Sequence, residues 1–472
     1  MSAAAREALP ARWQRAFDWA ERELGGRVVA WEPQPRWRPA CFFELERPGG
    51  EILPLYWRGA RGEWHRDARP LEREMRVIEV FERFGVRVPH AYGLCTDPPG
   101  LVLERLPGRF NLATATDDRH RRAVLDEYLV QLARIHSIPI EEFEAIGFDR
   151  PRNSEQSCYG ETRRFERDYR AARQRAAAQH GGVPRPEPMI EFQLAWCKRN
   201  VPRDRQEFSF LVCDSGQFMF DDAGLTGLID FELGYIGDYA ADLAALRTRD
   251  LSEPIGELGR AMRRYGEISG REIDLRAIDY HTIRFALLNP LSLAGVLAEP
   301  TRDANYVQYL GWSVCYGRAG LEVMARYAGV ELDPPRLPEA APSRRGVAHA
   351  HLVDLLDPAR AGGSPGSDEL AYDFDRMQRL AVYLERSDRY GAALEADDLA
   401  DVAKLLGSSA GAQPPRDWQD ADACLEQLVA EAGPERDADF IRYFHRRLSR
   451  EEFLLKPVLR EQENAALPPL ED

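Results

Sequence analysis

The sequence predicts an α+β protein: a small antiparallel sheet near the N-terminus, a mostly helical body after it, and a helical C-terminal extension. Three observations predict this. Two aromatic and aliphatic runs, "ACFFELE" and "EILPLYWRG", flank "RPGG", a hairpin signature. From about residue 111 the apolar residues recur at helical spacing, as in "RRAVLDEYLVQLARIHSI". After the Pro-rich stretch "LDPPRLPEAAPS" the composition turns to Ala, Leu, Glu and Arg.

Each element follows in order. Residues 5–25 carry Trp13, Phe17, Ala20 and Leu24 on one helical face. The hairpin comes next, with Pro48, Gly49 and Gly50 supplying its turn. "RPLEREMRVIEVFERFG" is a helix, with Leu71, Met75, Ile78 and Phe81 on one side and Gly85 as its stop. Two short strands surround the Asp97-Pro98-Pro99-Gly100 turn, so the first unit reads helix, hairpin, helix, hairpin. In the helical body, residues 150–187 are polar and read as part loop, part helix. "FSFLVC", "QFMF" and "LTGLIDF" are strand-like, the last two joined by the turn "DDAG". "ARAGGSPGSDE" and "GSSAGAQPP" break the C-terminal helices, and the last ten residues read as frayed. The expected divisions are 1–108, 109–332, a linker at 333–345, and 346–472.

At 472 residues the chain exceeds one ordinary core. Its net charge of -15 argues against a general nucleic-acid binder. No stretch reaches the ~18 uninterrupted apolar residues of a membrane span. The N-terminus carries charge throughout and reads as a helix, not a leader. The seven cysteines are scattered and free of CxxC pairs, which suits thiols in a reducing cytoplasm. His349 and His351 stand two apart, on different sides of a helix, a poor metal-ligand spacing.

The chemistry concentrates in "LVCDSGQFMF" and "LTGLIDFELGYIGD". Asp214 and Asp230 stand at strand ends sixteen residues apart, joined by a hairpin. A carboxylate at the end of a buried strand is costly unless paired or bound to metal. Two such groups can converge on one cation and neutralise a polyphosphate. The plainer reading of Asp230 is a cap for the turn that follows. Arg58 on a strand and Glu74 on the next helix, sixteen residues later, have the order of an ion pair behind a phosphate-binding cation. Each is equally readable as a solvated charge.

Taken in order, these blocks resemble the aminoglycoside phosphotransferase/choline kinase-like family over residues 10–330. "LYWRG" resembles its phosphate-binding strand, "LVLERLPG" its connection between lobes, and "LARIHSIP" its "LA-x-LH" helix. "LAWCKRNVP" resembles the segment before its catalytic loop, and "GLIDFELGYIGDYAADLA" its most specific motif. The resemblance implies a bilobal protein-kinase-like fold, with residues 1–108 as an N-lobe carrying a nucleotide-binding sheet and 109–332 as a helical C-lobe. It implies ATP and Mg²⁺ as cofactors and a small-molecule hydroxyl as acceptor. Asp214 would be the catalytic residue, Asp230 and Gln217 the metal ligands, and Arg58, Glu74, Glu104 and Leu106 the nucleotide-binding positions. Asp242 would anchor the turn after the metal motif. The C-terminal helices would pair two chains or cap the cleft.

The match departs from the family in two places. The usual H-x-D is Val212-Cys213-Asp214, and Gln217 takes the place of the loop's Asn in a loop two residues shorter. The stretch before the hairpin, "EPQPRWRPACFF", has no glycine. Arg36 and Arg38 could touch phosphate there, and a surface position is the favoured reading for both. A non-catalytic binding protein on a kinase scaffold is the second reading of the whole chain, and another transferase or hydrolase using the same carboxylates is the third.

Overall fold

The structure is a computed structural model that describes residues 6–7, 9–34, 38–60, 69–179, 181–302, 304–357, 368–407, 415–463 and 465–470. The chain divides into two compact units that alternate along the sequence. One comprises Met1–Pro151, Glu207–Asp242 and Pro254–Ile273; the other comprises Arg152–Gln206, Leu243–Glu253 and Asp274–Asp472.

The first unit begins with α1 (Ala11–Leu24), whose Trp13, Phe17 and Ala20 are buried at the expected spacing. It stops at Gly25, whose φ of 69° is easy only for glycine. Four strands expected from the sequence are present: β2 (Ala40–Glu46), β3 (Ile52–Gly59), β4 (Ala91–Thr96) and β5 (Pro99–Glu104). A fifth, β1 (Arg27–Pro33), was not expected. It is an edge strand with only Val28 buried, so it lacks the alternation that marks a half-buried strand. The antiparallel sheet has the order β1-β2-β3-β5-β4.

Alternation along β3 sets the two faces of this sheet. Leu53, Leu55 and Trp57 join Trp13, Phe17, Phe43 and Val102 in one apolar cluster. Tyr56 and Arg58 point to the other face, where Tyr56 lies 5.4 Å from the Phe42 ring. The helix α2 (Arg69–Arg83) buries Leu71, Val77, Ile78 and Phe81, and with them Glu74.

The same unit continues with α3 (Asp118–Ser137) and a short α4 (Ile140–Glu144). Strands β6 (Phe208–Leu211) and β9 (Tyr235–Asp238) pair, and so do β7 (Phe218–Asp221) and β8 (Gly224–Leu228). After β9, α7 (Ala240–Arg249) begins, and α8 (Leu258–Ser269) packs on α3. Phe81 meets Phe210 and Phe231 edge-on, with ring centroids 5.7 and 5.0 Å apart, so α2 and the strand ends share one aromatic core. The α+β architecture expected from the sequence is present: a small antiparallel sheet, then mostly helices.

The second unit is helical. Residues 150–187, read as part loop and part helix, are both: the long α5 (Ser154–Gln179) lies between non-helical stretches at 150–153 and 181–187. It is followed by α6 (Pro188–Arg199), α9 (Leu275–Ala298), α10 (Tyr306–Ala328) and α11 (Gly346–Leu355). The 40-residue α12 (Asp368–Gly407), α13 (Trp418–Glu431) and α14 (Asp437–Leu455) complete it. Both glycine-rich breaks of the extension fall largely outside the described residues. The C-terminal residues 465–470 depart from the frayed reading. Leu467 is buried, and Arg326 donates to its carbonyl at 2.8 Å. Among the described residues, no helix is long and apolar enough to cross a membrane.

Candidate functional site

Arg58 leaves β3 on the face opposite the apolar cluster and meets carboxylates from three directions. Its Nε donates to Glu74 Oε2 at 2.9 Å. Its Nη2 donates to Asp230 Oδ1 at 2.5 Å and lies 3.4 Å from Glu232 Oε2. Burial alone would lower the guanidinium's pKa, but Asp230, Glu74 and Glu232 outweigh it and hold the pKa above the ordinary value. Burial raises the pKa of Glu74, with Arg58 opposing. Glu74 also accepts the Phe231 backbone N–H at 3.1 Å, so one helical carboxylate holds both the cation and the strand end beside Asp230.

Asp214 lies on the turn between β6 and β7. Strand β6 ends at Leu211 because the next two backbone N–H groups go elsewhere: Val212 and Cys213 both donate to the Asp242 carboxylate, at 2.9 Å each. Cys213 is thereby held at φ 69°, a conformation uncommon outside glycine. Tyr128 clamps the far side of the turn. Its hydroxyl lies 2.6 Å from Ser215 Oγ and accepts the Gly216 N–H at 2.7 Å. The histidine missing from the loop is therefore not needed for its shape.

Asp242 is itself fixed by His136, whose Nε2 lies 3.1 Å away and whose Nδ1 lies 2.7 Å from the Tyr265 hydroxyl. All three are buried. The geometry suits a neutral ring that donates from Nε2 and accepts at Nδ1. Burial lowers the His136 pKa below 6.5, although Asp242 opposes this. The unfolded chain then takes up the proton more readily, so His136 costs stability as pH falls below about 6.5 and the cost vanishes above it. Denaturation midpoints are expected to climb between about pH 5 and pH 7. His136→Gln should flatten that climb; an unchanged slope would assign it to other groups.

The Ile229 N–H donates to the Gln217 carbonyl at 3.1 Å, which extends the β7–β8 pairing by one residue and leaves Asp230 as the next residue along the chain. The Gln217 amide also donates to Asp214 Oδ2 at 2.7 Å. The structure thus brings Asp214 and Gln217 into contact, with Asp230 two residues past the end of β8. Asp230 has φ 68°, so the chain turns sharply there and carries its carboxylate towards Arg58. Two carboxylates and an amide are hard oxygen donors, the set that magnesium takes. The residues present fit that ion.

On β5, the Glu104 N–H donates to the His90 carbonyl at 2.8 Å. Leu106 follows the strand, and among the described residues its backbone makes no hydrogen bond. Its side chain lies where a Cβ on Gly227 would approach to 2.8 Å, so glycine at 227 makes room for it.

Arg38 corrects the surface reading. It is buried, with 3% exposure, and its Nη2 donates to Glu232 Oε1 at 2.8 Å. Arg36 lies outside the described residues. Sequence reasoning gave no role to Glu232, which ties Arg38 to Arg58, nor to His136, Tyr265 and Tyr128. The signal for Glu232 was its place two residues after Asp230. His136 stood in the quoted "LARIHSIP".

Residues 46–280, about half the chain, match the model of the APH family, described as "Phosphotransferase enzyme family". The chain is 26% identical over 216 residues to mouse (Mus musculus) acyl-CoA dehydrogenase family member 10, an alignment covering 42% of this chain and 17% of that protein. The chain therefore spans less than a fifth of this relative's length. Among solved structures it is similar to macrolide 2'-phosphotransferase MphH from Brachybacterium faecium, at 15% identity and TM-score 0.42, over 61% of this chain and 99% of that one. It is also similar to an aminoglycoside-3'-phosphotransferase of type VIII, at 20% identity and TM-score 0.41, over 58% and 98% of the two chains. Through the segment that carries Arg58, Glu74, Asp214 and Asp230, the chain belongs to the APH phosphotransferase enzyme family.

Proposed function

We propose that the protein is an ATP- and magnesium-dependent phosphotransferase acting on a hydroxyl group of a small molecule. The observation that carries this is the run of ion pairs from Glu74 through Arg58 to Asp230, with Asp214 and Gln217 on the adjoining turn. Phosphoryl transfer asks the protein mainly for positioning and charge compensation. In this reading Arg58 binds the phosphates and Glu74 keeps its guanidinium in place. The Leu106 backbone offers hydrogen-bonding groups to the adenine edge. Asp214 orients the attacking hydroxyl and accepts its proton. Asp230 and Gln217 would hold the magnesium ion, which when bound neutralises the polyphosphate charge.

Calorimetry with ADP, with and without magnesium, tests the binding half of this reading. Magnesium-dependent binding is expected, and its absence would sink the proposal. Slow ATP hydrolysis, with water as surrogate acceptor, tests the chemical half. Asp214→Asn should leave nucleotide binding in place and lower the hydrolysis rate on the order of 10²- to 10⁴-fold. Binding with no transfer to water or to any hydroxyl compound would favour a binding protein on the same scaffold.

A further inference from the structure

Nucleotide-covering hairpins of this kind commonly reach phosphate through the backbone N–H groups of a glycine-rich turn. The connection between β1 and β2 is poorly equipped for that. Its sequence, "QPRWRP" from Gln34 to Pro39, has no glycine, and two of its six residues are prolines without an N–H. The cationic charge nearby comes from a side chain instead. Ala40 is the ladder partner of Arg58 on the neighbouring strand, and Arg38 precedes Ala40 by two residues. Arg38 lies just before the strand, and its guanidinium reaches the same carboxylate as that of Arg58.

The two guanidinium groups converge on one carboxylate. Glu232 accepts from Arg38 through Oε1 at 2.8 Å and lies 3.4 Å from Arg58 through Oε2. Both arginines are buried, where charge is poorly screened. The edge of a carboxylate and the edge of a phosphate present a similar pair of anionic oxygens, and guanidinium forks match either. Two forks that share one carboxylate are spaced to share one phosphate chain.

We propose that Arg38 is a second phosphate-recognising residue, acting beside Arg58 in place of the glycine-rich turn, and that Glu232 positions both guanidinium groups for the polyanion. This rests on the nucleotide reading above. The competing role for Arg38 is a plain tie that pins the hairpin to the loop after β8.

Binding of adenosine, ADP and inorganic tripolyphosphate to the full chain, measured by calorimetry in EDTA, separates the two roles. Arg38→Met should weaken ADP and tripolyphosphate by roughly tenfold or more, the worth of one or two charge-assisted hydrogen bonds, and leave adenosine unchanged. Arg38→Lys should recover part of the loss. Equal weakening of all three ligands, or of none, makes Arg38 a structural tie and overturns the proposal. Should Arg38→Met fail to fold because Glu232 loses its bond to Arg38, Glu232→Met alone is compared with Glu232→Met plus Arg38→Met. Tripolyphosphate must then bind more weakly to the double variant, and equal affinity overturns the proposal. An unmodified chain that binds neither ADP nor tripolyphosphate removes the nucleotide reading as well. A loss in Arg58→Met with none in Arg38→Met removes only the role of Arg38.

Discussion

Asp230→Asn is expected to abolish the magnesium-dependent part of ADP binding and to lower phosphoryl transfer on the order of 10³-fold, the several kcal/mol that a metal ion contributes to such a reaction. Asparagine is the informative replacement. Asp230 holds φ 68°, which asparagine tolerates and alanine does not, so the change removes charge without adding backbone strain. Folding should be little affected, because Arg58 keeps Glu74 and Glu232 as partners. The check is calorimetry with ADP at fixed magnesium and again in EDTA. A variant whose affinity still rises on adding magnesium would show that another residue is the principal ligand.

The second large effect is on stability. Asp242→Ala is expected to cost about 3 kcal/mol or more, at about 1–3 kcal/mol for each buried donor left unsatisfied. The carboxylate is fully buried and serves Val212, Cys213 and His136 together. Its removal leaves two buried backbone N–H groups and an imidazole without their acceptor, and nothing then favours the φ of 69° at Cys213. Typical domains hold only about 5–15 kcal/mol in total, so the urea midpoint should fall steeply. Asp242→Asn, which keeps one acceptor oxygen, should fall between alanine and the native chain. A midpoint shift worth under about 1 kcal/mol for Asp242→Ala would mean that the turn is held by Tyr128 instead.

Much of this site was legible because its parts lie on short local devices. Asp214 and Asp230 flank one hairpin, so sequence distance translates directly into nearness. Arg58 and Glu74 lie on a strand and the helix after it, where periodicity says which way each side chain points. What escaped depends on partners far along the chain. Arg38 and Glu232 are 194 residues apart, and His136 and Asp242 are 106 apart. No local pattern distinguishes a buried arginine from a solvated one; only its carboxylate does. The edge strand β1 escaped for a related reason, since one buried residue in seven leaves no period to read.

The Arg38–Glu232 pair also bears on how a ligand is captured. A glycine turn is mobile when empty and must surrender that freedom when it closes on phosphate. Here the connection is proline-rich, and the residue at its end is already anchored to the loop that carries Asp230. The cost of ordering Arg38 is therefore met during folding, before any ligand arrives. Capture in such a molecule resembles docking into a standing frame, and the tightness of the bound state depends on how well two fixed guanidinium groups fit it, with little left for loop closure to add.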